Sequence, residues 1–264
     1  METKEYARKE VGKDGSVRYY DAKERLHRED GPAVDLPNGH RAWYRNGQRH
    51  REDGPAIEYA NGAKEWHRDG RFHRLDGPAI EYASGTRMWY RNGQRHREDG
   101  PAYEGADGYR EWYRNGKLDR EDGPAIEDAD GYRAWYRNGE YHREDGPAVE
   151  EPNGTKMWYR NGKLHRLDGP AYEGANGTKM WCREGELHRE DGPAWEGADG
   201  KKAWYRNGLH HREDGPAIER SDGRKEYWLS GKQLTEEKFR ALHPEVFAAS
   251  PGEKKRKAKM PGIG

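Results

Sequence analysis

Histidine and carboxylate side chains recur at fixed intervals in this sequence of 264 residues, and they are the groups most able to bind a metal ion or transfer protons. Metal binding is disfavoured by spacing, because ligands of one zinc ion lie about 2.0–2.1 Å from it, whereas stacked two-stranded copies lie roughly 9–10 Å apart. We therefore predict no metal and no cofactor, with each histidine bonded to a neighbouring backbone group or carboxylate. The row consists of His27, His50, His73, His96, His142, His165, His188 and His211, with Asp119 in the remaining place.

Catalysis needs one place in the chain that differs from the rest, and the sequence does not show one. The five serines are scattered, Cys182 occupies a position that is Tyr in most other copies, and no glycine-rich loop precedes a helix as a phosphate site requires. We predict that the protein is not an enzyme.

Arginine and tryptophan form two parallel rows that could hold a polyanion, since positive charge beside stacking surfaces is typical of single-stranded nucleic-acid sites. The alternative, which we favour, is that guanidinium groups stack on the indoles and hold the fold together. The candidate polyanion face comprises Arg45, Arg68, Arg91, Arg114, Arg137, Arg160, Arg183 and Arg206. The structural tryptophan row comprises Trp43, Trp66, Trp89, Trp112, Trp135, Trp158, Trp181 and Trp204.

A third row of large side chains varies from copy to copy, as a surface specific for one protein partner would. The alternative is that this row packs on itself or on the connecting segments. The candidate partner-binding face comprises Tyr44, Tyr90, Tyr103, Tyr113, Tyr136, Tyr159, Tyr172, Trp195 and Tyr205.

The elements that position these rows follow from a repeat. Asp-Gly-Pro-Ala occurs nine times, with its glycines 23 residues apart from Gly31 to Gly215, which indicates a stacked repeat architecture. Each copy has two strand-like runs around a turn such as Ala60-Asn61-Gly62. Proline at the first place of this turn in two copies, Asn or Asp at the second and Gly at the third predict a three-residue hairpin loop.

This loop length predicts the pairing between the two strands, with Glu58 opposite Lys64. The same spacing holds in all nine copies, since an acid is followed six residues later by a base. We predict ion pairs between these cross-strand neighbours. The acids are Asp35, Glu58, Glu81, Glu104, Glu127, Glu150, Glu173, Glu196 and Glu219. The bases are Arg41, Lys64, Arg87, Arg110, Arg133, Lys156, Lys179, Lys202 and Lys225.

The predicted fold is all-β, an elongated single-layer antiparallel β-hairpin repeat array with a short C-terminal capping helix. Residues 1–30 are assigned to a degenerate N-terminal capping repeat and residues 31–231 to the hairpin repeats. Residues 232–249 are assigned to the helix, capped by Thr235 and apolar at Phe239 and Leu242. Residues 250–264 are expected to be a disordered basic tail.

Composition limits the possible partners and compartments. Acidic and basic residues balance at 49 each, which argues against a general nucleic-acid or membrane affinity. The single cysteine excludes an intramolecular disulfide, and no apolar stretch reaches membrane-spanning length. Because the first residues also lack a signal-peptide pattern, we expect a cytoplasmic protein without a transmembrane segment.

The pattern Trp-x-x-Asn-Gly-x-x-His followed by a second Asn-Gly turn, as in Trp43 to Gly62, resembles the MORN repeat and especially its variant form. The resemblance covers roughly residues 14 to 231 and implies an antiparallel hairpin array that serves as a scaffold, interaction or dimerisation module, with lipid binding proposed for some members. The Asp-Gly-Pro-Ala version also resembles arrays in phage and bacterial proteins. The sequence departs from the standard pattern where Arg-acid-Asp-Gly-Pro replaces Gly-x-Gly, which makes the connection more charged.

Two functional hypotheses follow. The first is a non-enzymatic scaffold that mediates protein–protein interaction with an unknown partner, a homodimer being one arrangement. The second is binding of nucleic acid or anionic lipid through the arginine and tryptophan rows and the basic tail at Lys254 to Lys257. An enzyme would need an unrecognised site at one of the irregular ends.

Overall fold

The structure is a computed structural model that describes residues 6–248. The predicted basic tail lies outside the described residues. The chain divides into two compact units within the predicted repeat array. The first runs to His142 and includes Glu150–Pro152, and the second comprises Arg143–Val149 and continues from Asn153.

The first unit is built from one antiparallel sheet and a row of smaller hairpins. In the sheet, β1 pairs with β2, β2 with β3 and β3 with β4, and the order continues through β7, β8, β11, β12, β15, β16, β19 and β20. The smaller hairpins are β5–β6, β9–β10, β13–β14, β17–β18 and β21–β22. The strands are β1 (Arg8–Val11), β2 (Val17–Tyr20), β3 (Val34–Asp35), β4 (Arg41–Ala42), β5 (Tyr44–Arg45), β6 (Gln48–Arg49), β7 (Ile57–Glu58), β8 (Lys64–Glu65), β9 (His67–Arg68), β10 (Arg71–Phe72), β11 (Ile80–Glu81), β12 (Arg87–Met88), β13 (Tyr90–Arg91), β14 (Gln94–Arg95), β15 (Tyr103–Glu104), β16 (Arg110–Glu111), β17 (Tyr113–Arg114), β18 (Lys117–Leu118), β19 (Ile126–Glu127), β20 (Arg133–Ala134), β21 (Tyr136–Arg137) and β22 (Glu140–Tyr141).

The second unit repeats this plan. Its antiparallel sheet runs through β24, β27, β28, β31, β32, β35, β36 and β37, and its smaller hairpins are β25–β26, β29–β30 and β33–β34. The strand β23 (Val149–Glu150) lies where the two units meet in the sequence. The other strands are β24 (Lys156–Met157), β25 (Tyr159–Arg160), β26 (Lys163–Leu164), β27 (Tyr172–Glu173), β28 (Lys179–Met180), β29 (Cys182–Arg183), β30 (Glu186–Leu187), β31 (Trp195–Glu196), β32 (Lys202–Ala203), β33 (Tyr205–Arg206), β34 (Leu209–His210), β35 (Ile218–Glu219), β36 (Lys225–Leu229) and β37 (Lys232–Leu234).

The predicted all-β hairpin fold is confirmed, including its loop chemistry. Leu36 and His40 close a three-residue loop through a 2.9 Å backbone bond, and Gly39 has a positive φ of 89°. Asn38 accepts a hydrogen bond from the His40 N–H, which fixes the turn. The register follows as predicted, with Glu58 opposite Lys64.

The smaller hairpins join the end of the second strand-like run to the start of a segment, Gln94 to Asp99 in one copy, that we expected to be only a connection. Trp89 separates β12 from β13, where the chain leaves the main sheet. The turn at Asn92-Gly93 then has two positive φ values, 52° and 82°, which is the geometry of a tight two-residue hairpin. Each repeat therefore contains two hairpins.

The alanine of each Asp-Gly-Pro-Ala is completely buried, with 0% exposure in all nine copies. Backbone bonds fix this position from both sides, since Ala79 accepts from the Trp66 N–H and donates to Met88 O, each at 2.8 Å. The core of each repeat thus depends on a small side chain at this point.

The C-terminal helix is confirmed. Helix α1 (Glu236–Leu242) begins at Thr235, whose side chain accepts from the Lys238 N–H, and Phe239 is fully buried against Tyr227. Leu242, which we expected on the same apolar face, is 61% exposed. A second short helix, α2 (Pro244–Ala248), follows, and its Phe247 contacts Phe239 in place of Leu242.

Candidate interaction surface

One arginine in each repeat organises the surrounding charges. Arg74 lies over the ring of Trp66 at 4.1 Å, and its Nε donates to Asp76 at 3.1 Å. Its Nη1 donates to Pro78 O at 3.2 Å and to Glu81 at 3.0 Å. We call this set of Trp, Arg, Asp and Glu the arginine clasp. The same stacking, at 3.8–4.1 Å, is made by Arg51, Arg97, Arg120, Arg166, Arg189 and Arg212.

The glycine of Asp-Gly-Pro-Ala lies against the clasp and provides the space that the clasp arginine occupies. A Cβ atom at Gly77 would lie 2.8 Å from Cζ of Arg74, closer than non-bonded carbon atoms approach in proteins. The glycine therefore leaves space for the guanidinium group to reach the indole. Hydrogen bonding to Arg74 also lowers the pKa of Asp76 below its usual value, and the equivalent aspartates of other copies behave alike.

The structure corrects our prediction of which arginine stacks on tryptophan. We expected Arg68, two residues after Trp66, but the stacking partner is Arg74, eight residues after it. Sequence reasoning gave the clasp arginine no role, although an arginine is present there in all nine copies. The presence of arginine at this position in every copy was the only hint in the sequence. It did not decide between Arg68 and Arg74, because both are arginines near Trp66 in the chain.

The predicted ion pairs are also largely redirected. Asp35 and Arg41 do pair, at 3.5 Å. Seven of the glutamates in the acid row instead contact the clasp arginine seven residues before them, at 2.9–3.5 Å. A guanidinium group can bond several oxygens at once in a partly buried site, whereas an exposed lysine must give up rotamer freedom for one weak pair.

The base row is consequently left on the surface. Each of its nine side chains is exposed, from Arg41 to Lys225, and each lies on a strand of the main sheets. Strands lie about 4.8 Å apart, so adjacent bases within a unit, two strands apart, are separated by roughly 10 Å.

The histidine row caps the tight turns, which bears out the expected bonding to backbone. His188 Nδ1 accepts from the Asn207 N–H at 3.2 Å, one repeat further on, and His27 does the same for Asn46 at 3.0 Å. The Nε2 atom faces the glutamate two residues later, as in His96 and Glu98 at 3.4 Å. Within residues 6–248, no three His, Cys, Asp or Glu side chains are grouped as a metal site requires.

The candidate polyanion face lies in the smaller hairpins, and much of its charge is compensated. Arg91 pairs with Glu98 at 3.3 Å and Arg114 with Glu121 at 3.0 Å, seven residues on in each case. Arg45 and Arg206 pair equivalently, at 3.5 and 3.6 Å. Arg45, Arg91 and Arg206 line clefts of about 530–660 Å³ between neighbouring copies. One such cleft is lined by Arg74, Leu75, Asp76, Gly77, Pro78, Trp89, Arg91, His96, Arg97, Glu98 and Asp99.

The candidate partner-binding face is half-buried at all nine of its residues. Arg95, on a smaller hairpin, donates to Glu111 of the main sheet at 2.8 Å and to the hydroxyl groups of Tyr90 and Tyr113 at 3.3 and 3.4 Å. These contacts bring the smaller hairpins against the sheet. They favour the alternative in which this row packs on the array itself. Six of the nine lie on the smaller hairpins and three, Tyr103, Tyr172 and Trp195, on the main sheets.

Cys182 takes a tyrosine position in a smaller hairpin and is buried, with 4% exposure. Burial raises the pKa of its thiol to about 11, so it is held as an unreactive thiol rather than a nucleophilic thiolate.

No helix in residues 6–248 is long and apolar enough to cross a membrane. Comparison with known proteins finds no family model and no curated protein that matches this sequence.

Proposed function

We propose that this chain is a non-enzymatic, MORN-like repeat scaffold that binds other proteins, with homodimerisation as one mode of assembly. The observation that carries the proposal is the equivalence of the clefts. Two clefts illustrate this equivalence. One is lined by residues from Arg28 to Asp53 and the other by residues from Arg189 to Asp214, and both present the same side-chain types in the same order. A row of equivalent surfaces suits repeated contact with a macromolecule better than catalysis at one point. The proposal includes a cytoplasmic location, which rests on the sequence alone.

Pairing of most charged groups with one another within each repeat supports the same proposal. The clasp arginines pair with Asp and Glu, and four arginines of the candidate polyanion face pair with a second Glu, so these aromatic and ionic groups are already engaged within the fold. The equivalent clefts then provide the repeated contact, and exposed side chains at positions that differ between copies provide specificity for one partner.

A second candidate function, binding of nucleic acid or anionic lipid, is favoured by the exposed base row rather than by the arginine and tryptophan rows. Each indole with a clasp arginine already has a guanidinium group over its ring, which leaves less of the ring free for a nucleobase to stack on.

Two binding measurements separate these functions. Purified chain is titrated with a fluorescent single-stranded RNA and with phosphatidylserine vesicles at increasing salt concentrations. A scaffold shows no binding at physiological salt, whereas a polyanion binder shows affinity that falls steeply with salt. Quantitative capture from lysate of the source cells tests the scaffold directly. Failure to enrich any protein over the capture matrix without the chain would contradict it.

A further inference from the structure

Two repeats break the pattern at one exposed position. The residue before the Asp of Asp-Gly-Pro-Ala is Glu in seven copies, but it is Leu at 75 and at 167. These leucines are 70% and 76% exposed, the two highest values among the large exposed hydrophobic side chains of the described chain. Each leucine lines a cleft where the other copies carry a glutamate, so these two clefts differ from the rest in their chemistry.

The missing glutamate has two bonding roles elsewhere. Glu98 pairs with Arg91 at 3.3 Å and faces His96 Nε2 at 3.4 Å. Leucine accepts no hydrogen bond, so Arg68 and Arg160 lack this acid. In the copy that contains Leu75, Nε2 of His73 is also buried without a hydrogen-bond partner among the described residues. A buried donor of this kind is costly unless something supplies an acceptor.

The same two repeats place a second cation beside the first. Arg68 lies opposite Arg71, and Arg160 lies opposite Lys163, on the two strands of their smaller hairpins. Arg114 likewise lies opposite Lys117, but there Glu121 pairs with Arg114 at 3.0 Å, whereas at Arg68 and Arg160 this acid is replaced by leucine. Like charges directly opposite one another are unfavourable, and an anion placed between them would relieve the repulsion.

The nearby aspartates are already engaged. Asp76 bonds Arg74 at 3.1 Å, and Asp69 bonds Arg45 at 3.1 Å and His50 at 2.9 Å. In the second unit, Asp168 bonds Arg166 at 2.9 Å. Arg160 and Leu167 line one cleft of about 590 Å³ together with Trp158.

We propose that Arg68 to Leu75 and Arg160 to Leu167 are two docking sites for a partner-protein segment in which a carboxylate side chain adjoins a large apolar side chain. The carboxylate takes the place of the absent glutamate beside Arg68 or Arg160, where it also offsets the charge of the cation opposite, and in the first site it accepts from His73 Nε2. The apolar side chain packs on the leucine. This inference rests on the proposed scaffold function.

The probe is an acetylated, amidated peptide of alternating Glu and Leu, titrated to millimolar concentration against chain labelled at its leucine methyl groups. We expect chemical-shift changes at Leu75 and Leu167 but not at Leu118 or Leu187, which serve as internal controls. The matched peptide of alternating Lys and Leu should bind about tenfold more weakly or not at all. Equal effects of the two peptides, or no shift at either leucine, would overturn the proposal, as would a response to single-stranded RNA alone.

The control variant is Leu75→Glu with Leu167→Glu, which restores the residue of the other seven copies and so preserves the fold. Peptide affinity should fall about tenfold, and Arg68→Gln with Arg160→Gln should have a similar effect. If the double Glu variant captures the same proteins from lysate as the original chain, the docking sites are wrong and the scaffold stands. If the peptide binds as expected but no protein is captured, the scaffold fails and the sites stand.

Discussion

Arg74 stacks on the indole of Trp66, with its Cζ 4.1 Å from the ring centroid, while the same guanidinium group bonds Asp76 and Glu81. One side chain thus joins the aromatic row, the Asp-Gly turn and the main sheet. Because the arrangement recurs in other copies, many of the charged residues hold the repeats together from the surface, around a buried core of alanine.

Replacing the clasp arginine should therefore destabilise the protein far more than replacing the arginine of the candidate polyanion face in the same repeat. Arg74→Gln loses the stacking and the charge-assisted hydrogen bonds, and we expect a loss of about 2–3 kcal/mol in the free energy of unfolding. The matched control Arg68→Gln, in the same repeat, should change it little. Urea denaturation of both variants checks this. Equal losses in the free energy of unfolding would show that stacking on Trp66 does not stabilise the protein.

The glycine of the clasp should be sensitive to a single methyl group. Gly77→Ala places a Cβ atom 2.8 Å from Cζ of Arg74, and overpacking of this kind costs about 1–3 kcal/mol. In an Arg74→Gln background, the same substitution should cost less, because the shorter side chain can move away. Thermal unfolding of the two single variants and the double variant measures the coupling, and additive effects would refute the explanation.

Sequence reasoning predicted the parts of the fold that depend on neighbouring residues. Asn61-Gly62 fixes the loop and hence the pairing of Glu58 with Lys64, because turn chemistry acts within a few residues. The sequence alone did not show that Arg74, rather than Arg68, is the stacking partner of Trp66. That choice depends on the chain leaving the sheet after the tryptophan and returning through a second hairpin.

The candidate site was harder still to predict, because rows of identical residues are the most visible pattern in a repeat sequence and the site lies where two copies depart from it. Leu75 and Leu167 stand out only once the structure shows that the glutamate elsewhere bonds an arginine and a histidine. The half-buried state of Tyr90 and Tyr113 likewise depends on Arg95, which comes from the smaller hairpin that we did not predict.

Acid should weaken the fold through the clasp aspartates. Their pKa values are lowered in the folded state by hydrogen bonds from arginine, so the unfolded chain takes up protons first as the pH falls. The stabilisation is complete above the ordinary aspartate pKa of about 3.9 and is lost as the pH falls through the lower folded values. We expect the free energy of unfolding to decrease between about pH 5 and pH 3.

A triple variant, Asp76→Asn with Asp99→Asn and Asp122→Asn, tests the origin of this acid sensitivity. Its unfolding free energy should be lower at neutral pH and should depend less steeply on pH. Urea titrations at several pH values give the slope. An unchanged slope would mean that other carboxylates cause the acid sensitivity.

Cys182 should be protected from thiol reagents in the folded protein. Its side chain is buried and its pKa is raised to about 11, so little thiolate forms at neutral pH and reagent access is blocked. Reaction with an aromatic disulfide reagent should be much slower in buffer than in urea. Equal rates in the two conditions would place the thiol at the surface.

The coupling free energy between Trp66 and Arg74 tests most directly the claim that the repeat's aromatic and ionic groups are used to hold the fold. Trp66→Leu, Arg74→Gln and the double variant are unfolded in urea, and we expect a favourable coupling of at least about 1 kcal/mol. A coupling indistinguishable from zero would contradict it, because tryptophan and arginine would then stabilise the protein independently.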